Sequence, residues 1–221
     1  MKQLQFSVFG DSISTLSGYQ PAGYAVEYKG RFSRESCVLT INDTLWGMVI
    51  NQLEGTLLVN DSYSGCMVSS SSEGAMLYPS AASEKRINAL CSSGVPDVLM
   101  IYLGTNDWGR NVVIEDNKKP WWATFLGAYD HMLDEIRKRM PNTEIWCLNL
   151  TYSESMRYYF YKGPLQRLGD YNKVIARVAR QHNARLIDLA SIAADYTSAD
   201  LAHPDRVGMM KIANAVITSV K

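Results

Sequence analysis

The sequence predicts an α/β domain of three layers, α/β/α, built on a five-stranded parallel sheet, and three features lead there. Apolar, β-branched runs alternate along the chain with segments of helical periodicity, the pattern of strands buried on both faces. At 221 residues, 47% of them hydrophobic, the chain has enough apolar material to surround one core. No internal repeat, no linker and no low-complexity tract beyond Ser69–Ser72 interrupts it, so residues 1–221 read as a single domain.

The first strand is expected at Leu4–Phe9. A helix from Thr44 to about Leu53 follows, with Asn42 or Asp43 as its cap and Leu45, Met48, Val49 and Gln52 on adjacent positions. Thr56–Val59 is the second strand, and Val98–Leu103, after the turn signal Pro96-Asp97, is the third. Thr124–Met140 carries Leu126, Tyr129, Leu133, Ile136 and Met140 at helical spacing. Pro141-Asn142 then introduces the fourth strand, Glu144–Leu150. A helix over Leu168–His182, a fifth strand over Arg185–Leu189 and a helix over Val207–Val220 complete the set. Two connections are long: Ile13 to Ile41, rich in tyrosine and glycine, and Trp108 to Ala123 with three tryptophans. Long irregular loops are often binding loops. In doubly wound sheets ligands sit outside the carboxyl ends of the strands, so each motif is tested by whether it follows a strand.

Lysine plus arginine equals aspartate plus glutamate, 22 each, which argues against a nucleic-acid partner and for a small or neutral one. No run approaches the roughly 20 apolar residues of a membrane span. Met1 to Phe9 lacks the apolar core and cleavage site of a signal peptide. The scattered cysteines Cys37, Cys66, Cys91 and Cys147 contain no Cys-x-x-Cys and read as reduced, mostly buried thiols. The cysteines and the missing leader point to a cytoplasmic protein, and with no zinc spacing, Walker loop, dinucleotide fingerprint or His-Glu-x-x-His in the chain no metal or other cofactor is expected.

Gly10-Asp11-Ser12 follows the first strand. Serine there is commonly a turn former, so alone it decides nothing. Asn60-Asp61-Ser62-Tyr63-Ser64-Gly65 follows the second strand, and its glycine permits close backbone approach to a ligand. Gly104-Thr105-Asn106-Asp107 follows the third, where an asparagine amide can donate to a developing oxyanion and Asp107 could cap a helix. Near the carboxyl end lies Asp200-Leu201-Ala202-His203-Pro204. Spaced three apart, Asp200 and His203 fall on one side of a turn, and Pro204 suits the first turn of the terminal helix. A serine hydroxyl needs a base to take its proton, and a histidine oriented by a carboxylate can supply one. His131 and His182 fall on helices in surface or capping positions, leaving His203 as the candidate base.

Taken together, the four blocks resemble the SGNH hydrolases, also called the GDSL esterase/lipase family. Gly10-Asp11-Ser12 matches the first block with Ile13 in place of the family's leucine, Gly65 the second, Gly104-Thr105-Asn106-Asp107 the third, and Asp200-x-x-His203-Pro204 the last. The resemblance implies a flavodoxin-like SGNH hydrolase fold and a metal-independent serine esterase acting on a small-molecule ester. It implies Ser12, Asp200 and His203 as the catalytic set, and the N–H groups of Ser12 and Gly65 with the Asn106 side chain as the oxyanion hole. The tyrosine-rich loop and Gly104–Gly109 resemble a bacterial subgroup. Asp11, Trp108 and Tyr159 are further candidates for substrate contact, and short-chain or acetyl esters, including those of carbohydrates, are the expected substrates. Three other readings stay open: acyl transfer by the same triad, phosphotransfer through Asp11, and ligand binding without catalysis. Phosphotransfer enzymes of that kind carry a second aspartate two positions on, where this chain has Ile13.

Overall fold

The structure, a computed structural model, describes residues 3–70, 80–151, 168–189, 197–200 and 202–221. Its sheet is all-parallel, ordered β2-β1-β3-β4-β5. The central strands β1 (Gln5–Gly10) and β3 (Val98–Tyr102) are buried along almost their whole length, as their unbroken apolar runs require. The edge strands differ. β2 (Thr56–Ser62) is partly exposed at its start and buried at its end, and β5 (Arg185–Ile187) buries only its last residue. β4 (Glu144–Leu148) joins β3 to β5.

Seven helices are described: α1 (Gly30–Ser36), α2 (Leu45–Gln52), α3 (Glu84–Ala89), α4 (Thr105–Gly109), α5 (Phe125–Arg139), α6 (Leu168–Gln181) and α7 (Arg206–Val220). α2 packs on α7, and α5 packs on α6 and α3, giving the two helical layers of a three-layer α/β fold. Phe6, Phe9, Leu99, Ile101 and Ile145 fill the centre from the strands, and Trp46, Tyr129, Leu133 and Met209 close over them from the helices. Each such side chain contributes roughly 1.5–3 kcal/mol by leaving water.

Several boundaries differ from the sequence reading. β2 runs on through Asn60, Asp61 and Ser62, which were expected to follow the strand. The cap of α2 is Thr44, whose hydroxyl accepts from Gly47 N at 3.0 Å, while Asp43 binds the Thr40 backbone in the preceding 3-10 turn. α7 starts at Arg206 with Asp205 as its cap, so Pro204 lies before the helix instead of in its first turn. Asp107 lies inside α4, an element the sequence reading did not anticipate, and does not cap it. All four cysteines are free, but only Cys66 and Cys147 are buried and Cys37 is exposed.

With this strand order the chain reverses direction across the sheet between β1 and β3. The crevice outside their carboxyl ends is where an open α/β sheet binds ligands.

Candidate active site

Ser12 opens a 3-10 turn immediately beyond β1. The turn is fixed from inside the protein. Asp11 Oδ1 accepts from Ile13 N at 3.0 Å, and the Ser14 carbonyl accepts from Trp46 Nε1 at 2.9 Å and Asn60 Nδ2 at 3.0 Å. The Thr15 hydroxyl donates to the Ser12 carbonyl at 2.8 Å. Gly10 is required by crowding, because a Cβ there would lie 2.6 Å from the Ser14 side chain and 2.9 Å from Ser62 Oγ. These contacts leave Ser12 only 7% exposed.

His203 reaches the Ser12 hydroxyl from the other end of the chain. Its Nε2 is 2.9 Å from Ser12 Oγ and its Nδ1 is 2.8 Å from Asp200 Oδ2. Asp200 also folds the turn locally, its Oδ1 accepting from Ala202 N at 3.0 Å and His203 N at 2.7 Å. A backbone bridge between Ser198 and Pro204 closes the base of this turn. The buried Tyr28 hydroxyl donates to the Pro204 carbonyl at 2.7 Å. Tyr28 and Phe32 meet the imidazole edge-on, with centroids 6.3 and 5.8 Å away.

Burial works against a charged imidazole, but the Asp200 carboxylate, with Glu27 and Asp11 farther off, more than offsets it. The His203 pKa therefore lies above its ordinary value. Burial likewise opposes ionisation of Asp200, yet hydrogen bonds from His203 hold its carboxyl down at about 2. Asp11 is 1% exposed, and burial raises its pKa to about 6 against the bond from Ile13 N.

Gly65 sits two residues beyond Tyr63, at φ 77°, a left-handed conformation open to glycine. Neither the Gly65 N–H nor the Ser12 N–H has a hydrogen-bond partner among the described residues. Asn106, half-buried in the first turn of α4, donates from Nδ2 to the Cys66 carbonyl at 2.9 Å. That bond orients the amide and leaves its second N–H to donate elsewhere. Asp107 accepts from Val68 N at 2.8 Å, Ser69 N at 3.0 Å and Ser69 Oγ at 2.5 Å, tying α4 to the segment after Gly65. Burial outweighs these bonds and raises its pKa.

The structure thus brings Ser12, Asp200 and His203 into one hydrogen-bonded chain. Trp108, a candidate for substrate contact, is 6% exposed and packs against the core. Tyr159 lies outside the described residues. Trp121 is 39% exposed and stacks on His131 at 3.8 Å, and His182 pairs with Asp130 at 2.8 Å.

Two residues of this region were missed from the sequence. Arg86, on α3, is fully buried behind the Gly65 turn, its Nε 2.9 Å from Asp61 Oδ2 and its Nη1 2.9 Å from Cys66 Sγ. Its Nη2 donates to the Asp61 carbonyl. Nothing local marked the pair, since Asp61, just past the apolar run Thr56–Val59, reads as part of a turn and Arg86 lies 25 residues on. Glu27, in the first long loop, left no local signal. Its carboxylate, with that of Asp200 and a ring nitrogen of His203, forms a group whose three ligand atoms lie within 4.8 Å of one another. That composition could hold a divalent ion, but both ring nitrogens are already engaged by Asp200 and Ser12, and a metal would have to displace one of them.

The family model described as GDSL-like lipase/acylhydrolase matches residues 4–220. No curated protein matches the chain. Among solved structures, a protein described as a GDSL-like lipase from Bacteroides ovatus is 24% identical, with TM-score 0.75 over 99% of this chain and 98% of its own. A similarly described protein from Bacteroides uniformis is 22% identical, with TM-score 0.74 over 99% and 95%. An acetyl xylan esterase from Geobacillus stearothermophilus, 19% identical, superposes with TM-score 0.60 over 98% and 94%. These likenesses show a shared fold, and the family match, spanning nearly every residue, shows that the chain belongs to the GDSL-like lipase/acylhydrolase family, whose SGNH hydrolase fold it has.

Proposed function

We propose that the protein is a serine ester hydrolase working through an acyl-serine intermediate, with Ser12 as nucleophile, His203 as general base and acid, and Asp200 as the group that orients His203. The observation that carries this reading is the Ser12–His203–Asp200 chain, with links of 2.9 and 2.8 Å. As Ser12 Oγ bonds to the ester carbonyl carbon, its proton passes to His203 Nε2. The imidazolium that forms is stabilised by the ionised Asp200 at Nδ1. The Ser12 and Gly65 N–H groups and the Asn106 amide donate to the tetrahedral oxyanion. Collapse breaks the bond to the alcohol oxygen, which leaves with the proton from Nε2. Water, deprotonated in turn by His203, then releases the acid and regenerates Ser12.

Short acyl groups, acetyl among them, are the preferred substrates on two grounds. No long apolar lid helix is legible in the sequence, and acetyl xylan names the substrate of one protein sharing the fold. The test is a panel of nitrophenyl esters of increasing acyl length, with acetylated sugars, run on wild type and Ser12→Ala. Turnover should vanish in Ser12→Ala while its circular dichroism and melting stay those of wild type. Hydrolysis at the parental rate by Ser12→Ala would overturn the assignment.

A further inference from the structure

We propose that Glu27 is a second carboxylate serving His203, a positioning residue that stabilises the imidazolium through space from between the turns carrying Ser12 and Gly65. This inference rests on the serine-hydrolase reading above. Both ring nitrogens are occupied, by Asp200 and Ser12, so Glu27 does not hydrogen-bond to the ring. It lies close enough to act by charge, its carboxylate oxygen within 4.8 Å of the ligand atoms of both Asp200 and His203. At such separations inside a protein an anion strongly favours a cation over its neutral form.

Glu27 is held there by both halves of the site. Its N–H donates to Thr15 Oγ1 at 2.9 Å, and that hydroxyl donates to the Ser12 carbonyl at 2.8 Å. Its Oε2 accepts from Ser64 Oγ at 2.9 Å, and Ser64 N donates to the Ala25 carbonyl at 2.9 Å. Ser64 immediately precedes Gly65, so the bond that fixes the carboxylate also pins the turn expected to bind the oxyanion. Among the described residues, the titratable groups facing His203 are Asp200 on its own turn, Glu27 on the first loop, Asp11 after β1 and the Tyr28 phenol. Of these, Glu27 is the one carboxylate besides Asp200 that belongs to the cluster. When Ser12 gives up its proton, positive charge appears on the ring and negative charge at the oxyanion. A carboxylate beside the ring favours the first without touching either.

The test is the rate at which a fluorophosphonate labels Ser12 as a function of pH, since this reaction needs His203 as base but no knowledge of the natural substrate. In Glu27→Gln, which keeps an oxygen for Ser64 but loses the charge, the acid limb should move down by about one pH unit and the plateau rate fall about tenfold. Glu27→Asp, which keeps the charge, should hold the limb near that of wild type. If Glu27→Gln does not fold, the uncharged Glu27→Met takes its place. A labelled wild type whose limb stays put in the uncharged variant overturns the inference, and so does Glu27→Asp shifting as far as Glu27→Gln. A wild type that is not labelled at Ser12 at all overturns the serine-hydrolase reading on which the inference rests, a distinguishable result.

Discussion

Replacing Arg86 with methionine should be among the most damaging single changes outside the Ser12–His203–Asp200 chain. The Arg86 and Asp61 side chains are both 0% exposed and meet at 2.9 Å. Burial pushes the Cys66 thiol up to about 11, so at neutral pH it accepts from Arg86 as an uncharged group and Asp61 supplies the counter-charge. Methionine fills much of the space between Phe9 and Tyr24 but leaves the Asp61 carboxylate buried without its cation. Breaking a buried pair from one side costs roughly 3–5 kcal/mol. The Asp61 carbonyl also loses its donor, a loss of about 1–3 kcal/mol that does not simply add. Against a total stability of about 5–15 kcal/mol, the variant should be folded but marginal. Urea unfolding followed by tryptophan fluorescence reads this directly, since Trp46 and Trp146 are buried. Arg86→Met/Asp61→Asn, which removes both charges, should recover a large share of the loss. A single-variant cost under about 1 kcal/mol, the scale of an exposed ion pair, would refute the reasoning, as would a double variant no better than the single.

Asn106→Ala should lower kcat by on the order of 10²–10³ with KM little changed, measured on a nitrophenyl ester, because in the proposed mechanism the amide meets the oxyanion and not the ground state. Asp11→Asn should flatten the pH dependence of stability. The folded protein holds the Asp11 proton up to about 6 against an ordinary 3.8, so stability present in acid is lost as pH rises through that window, by roughly 3 kcal/mol. Urea unfolding on either side of the window should show wild type losing more stability than the variant as pH rises. Tyr28→Phe should cost about 1–2 kcal/mol in the same assay, through the lost bond to the Pro204 carbonyl.

What could be read from the sequence follows from whether a residue's partners are local. β1 and β3 were legible because strands buried on both faces need unbroken apolar runs. The end of β2 was not, because Asn60, Asp61 and Ser62 look like a turn until their partners are known. Asn60 bonds to Ser14, Asp61 pairs with Arg86, and Ser62 bonds to Asn60. Short α1 has no side-chain cap at Lys29 and opens on a glycine at φ 54°, so it carried no start signal. In the site, Asp200 and His203 were readable as a pair because three residues and one turn join them. Glu27 was not, because Ser64, its hydrogen-bond partner, is 37 residues away and only the folded loop makes them neighbours.

That loop changes how the site is understood. Strand ends deliver Ser12, Gly65 and Asn106 to the crevice, but no strand carries His203, which arrives on a turn 191 residues from Ser12. A parallel sheet fixes the first three relative to one another and cannot by itself fix the fourth. The connection after Ser12 does: Thr15 bonds to the Ser12 turn, Ala25 and Glu27 to Ser64, and Tyr28 to Pro204 beside His203. Each is a single hydrogen bond of modest net strength, about 1 kcal/mol, yet together they join three turns that share no secondary structure. The length of the connection is therefore structural as much as functional, since a short crossover could not pass by all three.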